Sequence, residues 1–408
     1  VESARSVERA SSVDYDVLAE PYVPARSTIA TETHRLFGRF ASWIEARDGR
    51  ARLVLPGLTE FPAAGELLHW LRAAVEAAEP WTALSIYRRT MPGMLAGYLG
   101  YELKNSLEAG AGERLQSGNP DPAGLPDLWC GQAGLVVGAL PGTAPLPETE
   151  TSPRFARVRS FAPALTQADY ESMVRQAKKE IKEGDYYEIN LAHLFRGRLE
   201  GDPLDLYARM VPDPAAVPYA SYLRLPGHAV CCASPERFLS RSGDRVVSSP
   251  IKGTRPRGST AEQDDALRRQ LLASQKERAE NLMIVDLVRH DLNGVCERGS
   301  VHVDELFGVH TYGTVHQLVS TVSGRISPSI DPVRILAACF PMGSMTGAPK
   351  ISAMEAIERL ERFRRGIYSG AIGWIAPDGA FDFNVVIRTA IVRTDSGAIV
   401  CYPAGGAI

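Results

Sequence analysis

Long apolar runs, basic blocks and cysteine pairs are all lacking in this 408-residue chain, and each absence removes a class of function. No stretch approaches the ~18 consecutive apolar residues of a membrane-spanning helix, so a membrane protein is not expected. Val1 to Ser12 is polar and mixed in charge, without the apolar centre of a secretory leader. The chain opens on Val1 rather than Met, and an initiator or an upstream segment is expected ahead of it. The formal net charge is −3 with no basic block, which argues against a nucleic-acid partner whose phosphates would call for a basic face. The six cysteines, Cys130, Cys231, Cys232, Cys296, Cys339 and Cys401, make no C-x-x-C pair and sit mostly in apolar runs. They read as small core residues in a reducing compartment, the cytoplasm, and not as disulfides or zinc ligands. No internal repeat at solenoid periods is found.

What is present is the balance of a globular protein able to bury a sizeable core, with 45% hydrophobic and 23% charged residues. The clearest seam is Pro141 to Pro153, PGTAPLPETETSP, where apolar content collapses and prolines accumulate. It separates an N-terminal subdomain, 1–150, from a catalytic region, 151–408. The first part carries a helix-like stretch, Ala64 to Ala78, and the strand-like GMLAGYLGYEL from Gly93 to Leu103. Thr166 to Glu183 reads as a helix. Thr166 serves as N-cap, Tyr170, Met173, Val174, Ala177 and Ile181 line one face, and Gly184 ends it. Strands are expected at Tyr219 to Leu225, Ala229 to Ala233, Arg245 to Ser249, Val315 to Val322, Asn384 to Arg393 and Ile399 to Tyr402. Long helices are expected at Ala261 to Leu292 and Pro349 to Phe363. Strands in runs, without strict β-α alternation, predict an α+β fold with large, mainly antiparallel sheets.

Chemistry-bearing residues gather in a few stretches. In Ser249 to Gly258, SPIKGTRPRG, a strand ends and Lys252 stands between an apolar residue and a glycine-threonine turn. Most lysines are solvated surface residues. One held against apolar surface loses solvation, its pKa falls, and the neutral amine becomes a nucleophile. Gly253 lets a substrate approach the backbone closely. On the expected long helix, Glu277 and Glu280 are three apart and share a face. By spacing alone a solvated charged face is the favoured reading. The apolar run from Leu282 to Val288 instead predicts a mostly buried helix, whose carboxylates need a cation. With oxygen ligands only, that ion is magnesium.

The turn Phe340 to Lys350, FPMGSMTGAPK, does not fit a phosphate-binding G-x-x-x-x-G-K-[ST] loop. A glycine-rich turn before a helix still offers backbone N–H groups to an anion such as a carboxylate, with Thr346 as its substrate-binding side chain. Arg388, in VVIRTA, alternates with apolar neighbours and suits bidentate binding of a carboxylate or, equally, a buried ion pair. His316 reads either as a satisfied core histidine or as an acid/base group.

Taken together, SPERF (Ser234 to Phe238), PIKGTRPRG, KERAENLMIVDLVRHDL, VHQLVSTV, FPMGSMTGAPK, RGIYSGAIG and FNVVIRTA occur in the order found in chorismate-utilising enzymes, and the chain resembles that family. The family includes anthranilate, aminodeoxychorismate, isochorismate and salicylate synthases. The resemblance is strong over Thr166 to Ile408 and loose before it, through GYLGYELK. It implies two large mainly antiparallel β-sheets packed together with flanking helices, as in anthranilate synthase component I. It also implies magnesium bridging the substrate's ring carboxylate. Glu280, with Glu277 beside it, resembles the family's metal ligand. Glu236 resembles the general acid for the departing hydroxyl, and His316 the histidine beside the reacting ring. Tyr368 and Arg388 would hold the pyruvyl carboxylate, and Gly253, Thr254, Gly405 and Gly406 the ring carboxylate.

Lys252 separates the members. Anthranilate synthases carry Ala in this turn, whereas aminodeoxychorismate synthases carry Lys, and in that respect the chain resembles the latter. Replacing a hydroxyl by ammonia with retention suits two displacements, by the Lys252 amine first and ammonia second. Glu188 occupies the position where water-using members resemble one another in carrying Lys and amine-using members usually show Gln. Its carboxylate could hold an ammonium ion. The resemblance implies ammonia from a separate or fused glutamine amidotransferase, since no Cys-His-Glu arrangement is visible here. It also implies an acidic segment beyond Ile408 supplying a second metal-binding Glu. An anthranilate-type or aminodeoxyisochorismate synthase, and a non-catalytic chorismate-binding homologue, are the alternative readings.

Overall fold

Every strand pair among the described residues is antiparallel. The computed structural model describes residues 16–19, 35–54, 65–91, 93–107, 115–116, 118–138, 155–212 and 217–408. Val1 to Ser12 and the proline-rich seam lie outside these residues. The N-terminal strands are β1 (Asp16–Ala19), β2 (Arg35–Arg47), β3 (Arg50–Val54), β4 (Leu95–Leu99) and β5 (Leu128–Gly138). Then come β6 (Ala156–Pro163), β7 (Glu188–Gly201), β8 (Tyr219–Leu225), β9 (His228–Ser234), β10 (Arg237–Ser242), β11 (Arg245–Ser249) and β12 (Ile251–Pro256). The last are β13 (His302–Thr311), β14 (Val315–Arg325), β15 (Gly347–Ala348), β16 (Ala371–Ile375), β17 (Phe381–Asn384), β18 (Thr389–Arg393) and β19 (Ile399–Ala407). The helices are α1 (Gly65–Glu76), α2 (Pro80–Thr90), α3 (Gln167–Glu183), α4 (Pro203–Met210), α5 (Ala261–Ala273), α6 (Gln275–Asn293), α7 (Pro332–Cys339) and α8 (Lys350–Leu360).

Two large sheets result. One runs β6-β7-β19-β18-β9-β8-β1, and the β1–β2 pair joins it to the other, β2-β5-β4-β16-β17-β10-β11-β14-β13. β12 lies beside β14 beyond the end of β11. Period-two alternation sorts the first sheet's side chains between two cores. Val230, Cys232, Ile391 and Cys401 join Trp43, Leu95, Leu128 and Phe381 of the second sheet in one cluster. Ala229, Cys231, Val392 and Val400 face the opposite way and pack with Tyr207 of α4. Residues on either side of the seam thus share one core, and β4 pairs with β16 across it.

Local signals held where a cap fixed them. Thr166 accepts from the backbone N–H of Asp169, a contact worth about 1 kcal/mol, and Gly184 ends α3 at φ 88°. The helix expected over Ala261 to Leu292 is in fact two, because Ser274 takes an extended conformation and its hydroxyl caps the second. The α6 helix is buried on one face only, through Asn281, Ile284, Val285 and Leu292, and Leu282 is exposed. The strand read over Gly93 to Leu103 stops at Leu99 and gives way to a 3-10 turn, Tyr101–Ser106. The strand read over Asn384 to Arg393 is broken between β17 and β18, which takes Arg388 off any strand.

Candidate active site

The register of β12 against β14 slips between Ile251, opposite Val319, and Thr254, opposite Gln317. This bulge needs Gly253, whose φ is 88°; a Cβ there would lie 2.9 Å from Oε2 of Glu277. Gly253 and Arg255 face the helices, and the Arg255 guanidinium donates to Glu277 Oε1 at 3.2 Å. Lys252 is turned the other way, toward β7. Its Nζ lies 3.2 Å from Glu188 Oε1 and 3.5 Å from the carbonyl oxygen of Ser344. The apolar surroundings expected for this lysine are therefore replaced by a carboxylate. Glu188 itself is buried, and its second oxygen has no hydrogen-bond partner. Burial pushes the Glu188 carboxyl above the usual range, partly offset by Lys252.

Glu236 follows β9, where its backbone N–H donates to the Ser234 hydroxyl, which in turn donates to the Val385 carbonyl at 2.6 Å. Burial pushes its carboxyl up to about 7, against the Ser344 hydroxyl, Lys252, the Ile251 backbone and Arg388. The Ser344 hydroxyl lies beside this carboxyl without meeting it in a full hydrogen bond. A group in this state is protonated and unprotonated in comparable amounts near neutral pH, as an acid catalyst should be.

Arg388 sits in the break between β17 and β18 at φ 51°, a left-handed conformation that costs a non-glycine residue about 1 kcal/mol or more. Its carbonyl accepts from Ala233 N–H, which ties the break to β9. Among the described residues its guanidinium makes no hydrogen bond or ion pair, although its charge is felt by Glu236 and Tyr402. Of the two readings left open by the sequence, the buried ion pair is absent and the free guanidinium is present. Tyr368 is buried, with the Arg365 guanidinium 5.8 Å from its ring centre. Arg365 is fully engaged by Glu361, Met345 and Asn190, so it braces the site.

Other sequence candidates fare differently. Residues directly opposite in an antiparallel pair share a face, so His316 goes with Arg255 and Gln317 with Thr254. His316 is accordingly on the helix side, where Nε2 is 2.9 Å from Asp264 Oδ1 and Nδ1 is 2.9 Å from Thr311 Oγ1. It is a satisfied core histidine, not a group beside Lys252. Its neighbour Gln317, passed over in the sequence, is buried on the Lys252 side with an unpartnered carbonyl oxygen. Strand parity within VHQLVS was the signal that could have found it. Thr346 is also turned away, its hydroxyl donating to the Met342 carbonyl at 3.3 Å within its own turn. That turn has no free cation to offer either, because Lys350 pairs with Asp291 at 2.7 Å.

The carboxylates on α6 already have cations. Glu277 meets Arg255 at 3.2 Å, and Glu280 meets Lys276 at 3.7 Å. Among the described residues no group of three or more His, Cys, Asp or Glu side chains could enclose a metal ion. Glu280 nevertheless raises the Glu188 carboxyl, so its charge reaches the site. At the far wall Gly405 and Gly406 pair with Ala192 and Leu191 of β7, and the space beside Gly406 is open. No helix of the described residues is long and apolar enough to cross a membrane.

The family profile described as chorismate binding enzyme matches residues 40–408. An aminodeoxychorismate synthase from Streptomyces pristinaespiralis is 50% identical over 242 residues, which are 59% of this chain and 33% of that protein. An aminodeoxychorismate synthase component 1 from Bacillus subtilis is 40% identical over 248 residues, 59% of this chain and 53% of that protein. The matched stretch thus spans a third of the first relative and about half of the second. Among solved structures, anthranilate synthase component I from Streptococcus pneumoniae aligns with a TM-score of 0.74 at 25% identity, over 95% of this chain and 89% of that one.

Proposed function

This chain belongs to the family of chorismate binding enzymes, and from that premise we propose that it aminates chorismate to 4-amino-4-deoxychorismate through an adduct on Lys252. The observation that carries the reading is the pairing of Lys252 with Glu188 at 3.2 Å, beside a Glu236 poised near neutrality. The names of the Streptomyces and Bacillus relatives support it. Glu188, destabilised as a carboxylate by burial, takes the proton of Lys252 and frees a neutral amine. That amine attacks the ring while Glu236 gives its proton to the departing hydroxyl, which leaves as water. Ammonia then displaces Lys252, so two displacements leave the nitrogen where the hydroxyl was, with retention.

Arg388 holds the pyruvyl carboxylate with its unpaired guanidinium, and Tyr368 flanks it. Gly253, Thr254 and the backbone at Gly405 and Gly406 hold the ring carboxylate, with Gln317 reaching the same side. Glu280, with Glu277 beside it, would hold magnesium, an ion commonly bound through one or two protein carboxylates with the remaining ligands from substrate and water. Held there, it would neutralise charge on the ring carboxylate. Ammonia is delivered by a glutamine amidotransferase subunit or fused domain, a reading that the words "component 1" in the Bacillus relative's name support.

The likeness to anthranilate synthase component I favours one second reading, amination with anthranilate as product. Mass analysis of the product from chorismate, magnesium and an ammonium salt separates them. Aminodeoxychorismate is expected; anthranilate or a hydroxylated isomer would overturn the proposal.

A further inference from the structure

The proton balance of the proposed reaction leaves one group in deficit. Glu188 takes a proton from Lys252 and returns it when the amine is released. The product leaves as an ammonium, the hydroxyl leaves as water, and Glu236 alone ends the cycle a proton short. Glu236 is only 5% exposed.

Behind it lies a cavity with about 20 Å³ of room for water, above the ~10–15 Å³ that one molecule needs. Glu236 and Asp291 both line it, with Ser248 and Ser344 as further polar residues and Ile284 and Val288 as apolar wall. Asp291 accepts from Lys350 Nζ at 2.7 Å, and this pair is 10% and 17% exposed, so it reaches the outside. Lys350 and His290 are the charges facing Asp291, and Lys252 and Arg388 those facing Glu236.

We propose that Glu236 is re-protonated through water in this cavity, handed inward from the Asp291–Lys350 pair. Asp291 is thus a positioning residue for the general acid, and the ion pair is the outer gate of a proton passage. The inference rests on the amination reading for its purpose, but not for its test.

The test is an infrared pH jump on the substrate-free protein, following the carboxylic C=O band that disappears in Glu236→Gln. After a jump from about pH 5 to about pH 8, Val288→Ile, which fills the cavity, and Asp291→Asn, which breaks the gate, should each slow loss of the band by about tenfold or more. Both should lower kcat with KM for chorismate unchanged. If Asp291→Asn fails to fold by circular dichroism, Val288→Ile carries the decision. Unaltered exchange in the folded variants, or no such band in the wild type, would overturn the passage. A wild type that exchanges through the cavity yet forms a different product would overturn the amination reading and leave the passage standing.

Discussion

Nζ of Lys252 lies 3.2 Å from Oε1 of Glu188, and both side chains are withdrawn from solvent. Each is the other's counter-ion in a place where a lone charge is costly. Removing one partner of such a pair typically costs about 3–5 kcal/mol, because the survivor is left uncompensated. Lys252→Ala should therefore destabilise the protein, and in a pH-dependent way. A carboxyl raised on folding binds its proton more tightly in the folded state, so its contribution to stability falls as pH rises through the raised value. Without Lys252 that value rises further. The gap in Tm between wild type and Lys252→Ala should widen from about pH 5 to about pH 8; a constant gap would mean that the two groups are not coupled.

Glu236 sets the upper pH limb. Its carboxyl is raised to about 7, so the acid form is lost as pH climbs above that value, and kcat should fall with it. Glu236→Gln should lower kcat by about 10²- to 10⁴-fold and flatten that limb. A limb that persists in the variant would assign the titration to another group.

These groups were legible in the sequence to different depths. The PIKGT turn named Lys252 by its flanks and Gly253 as a place of close backbone approach, while the bulge that puts Gly253 at positive φ emerged only from the strand register. The caps of α3 were legible because Thr166 and Gly184 act locally. The break at Ser274 was not, since a serine among good helix formers reads as helix until its hydroxyl is seen to cap. The face of His316 was not, because a one-residue change of register reverses every side chain on β14. The partner of Lys252 lies 64 residues earlier in the chain, and no spacing announces a contact between β7 and β12.

Glutamine should not serve as nitrogen donor for this chain alone. Its cysteines carry no activated thiol: burial pushes Cys130 up to about 12 and Cys296 to about 11, and raises the other four. Ammonium salts should support turnover and glutamine should not, read as product formed by the purified chain. Product from glutamine without an added amidotransferase would contradict this.

Magnesium should bind weakly alone and about tenfold or more tighter with chorismate, since the α6 carboxylates are partly satisfied by Arg255 and Lys276. Linkage requires chorismate to tighten by the same factor with magnesium. Calorimetric titration in both orders checks it, and Glu280→Gln should remove the coupling. Tight magnesium binding without substrate would show that further ligands have been missed.

The central claim is a bond between Lys252 and the substrate ring, and intact-protein mass spectrometry tests it directly. Incubated with chorismate and magnesium but no ammonia, the wild-type chain should gain the mass of chorismate less one water, and peptide mapping should put that gain on Lys252. Added ammonium should discharge it as 4-amino-4-deoxychorismate, and Lys252→Ala should gain nothing. Rapid amination by Lys252→Ala, or a gain in mass that survives in that variant, would contradict the account.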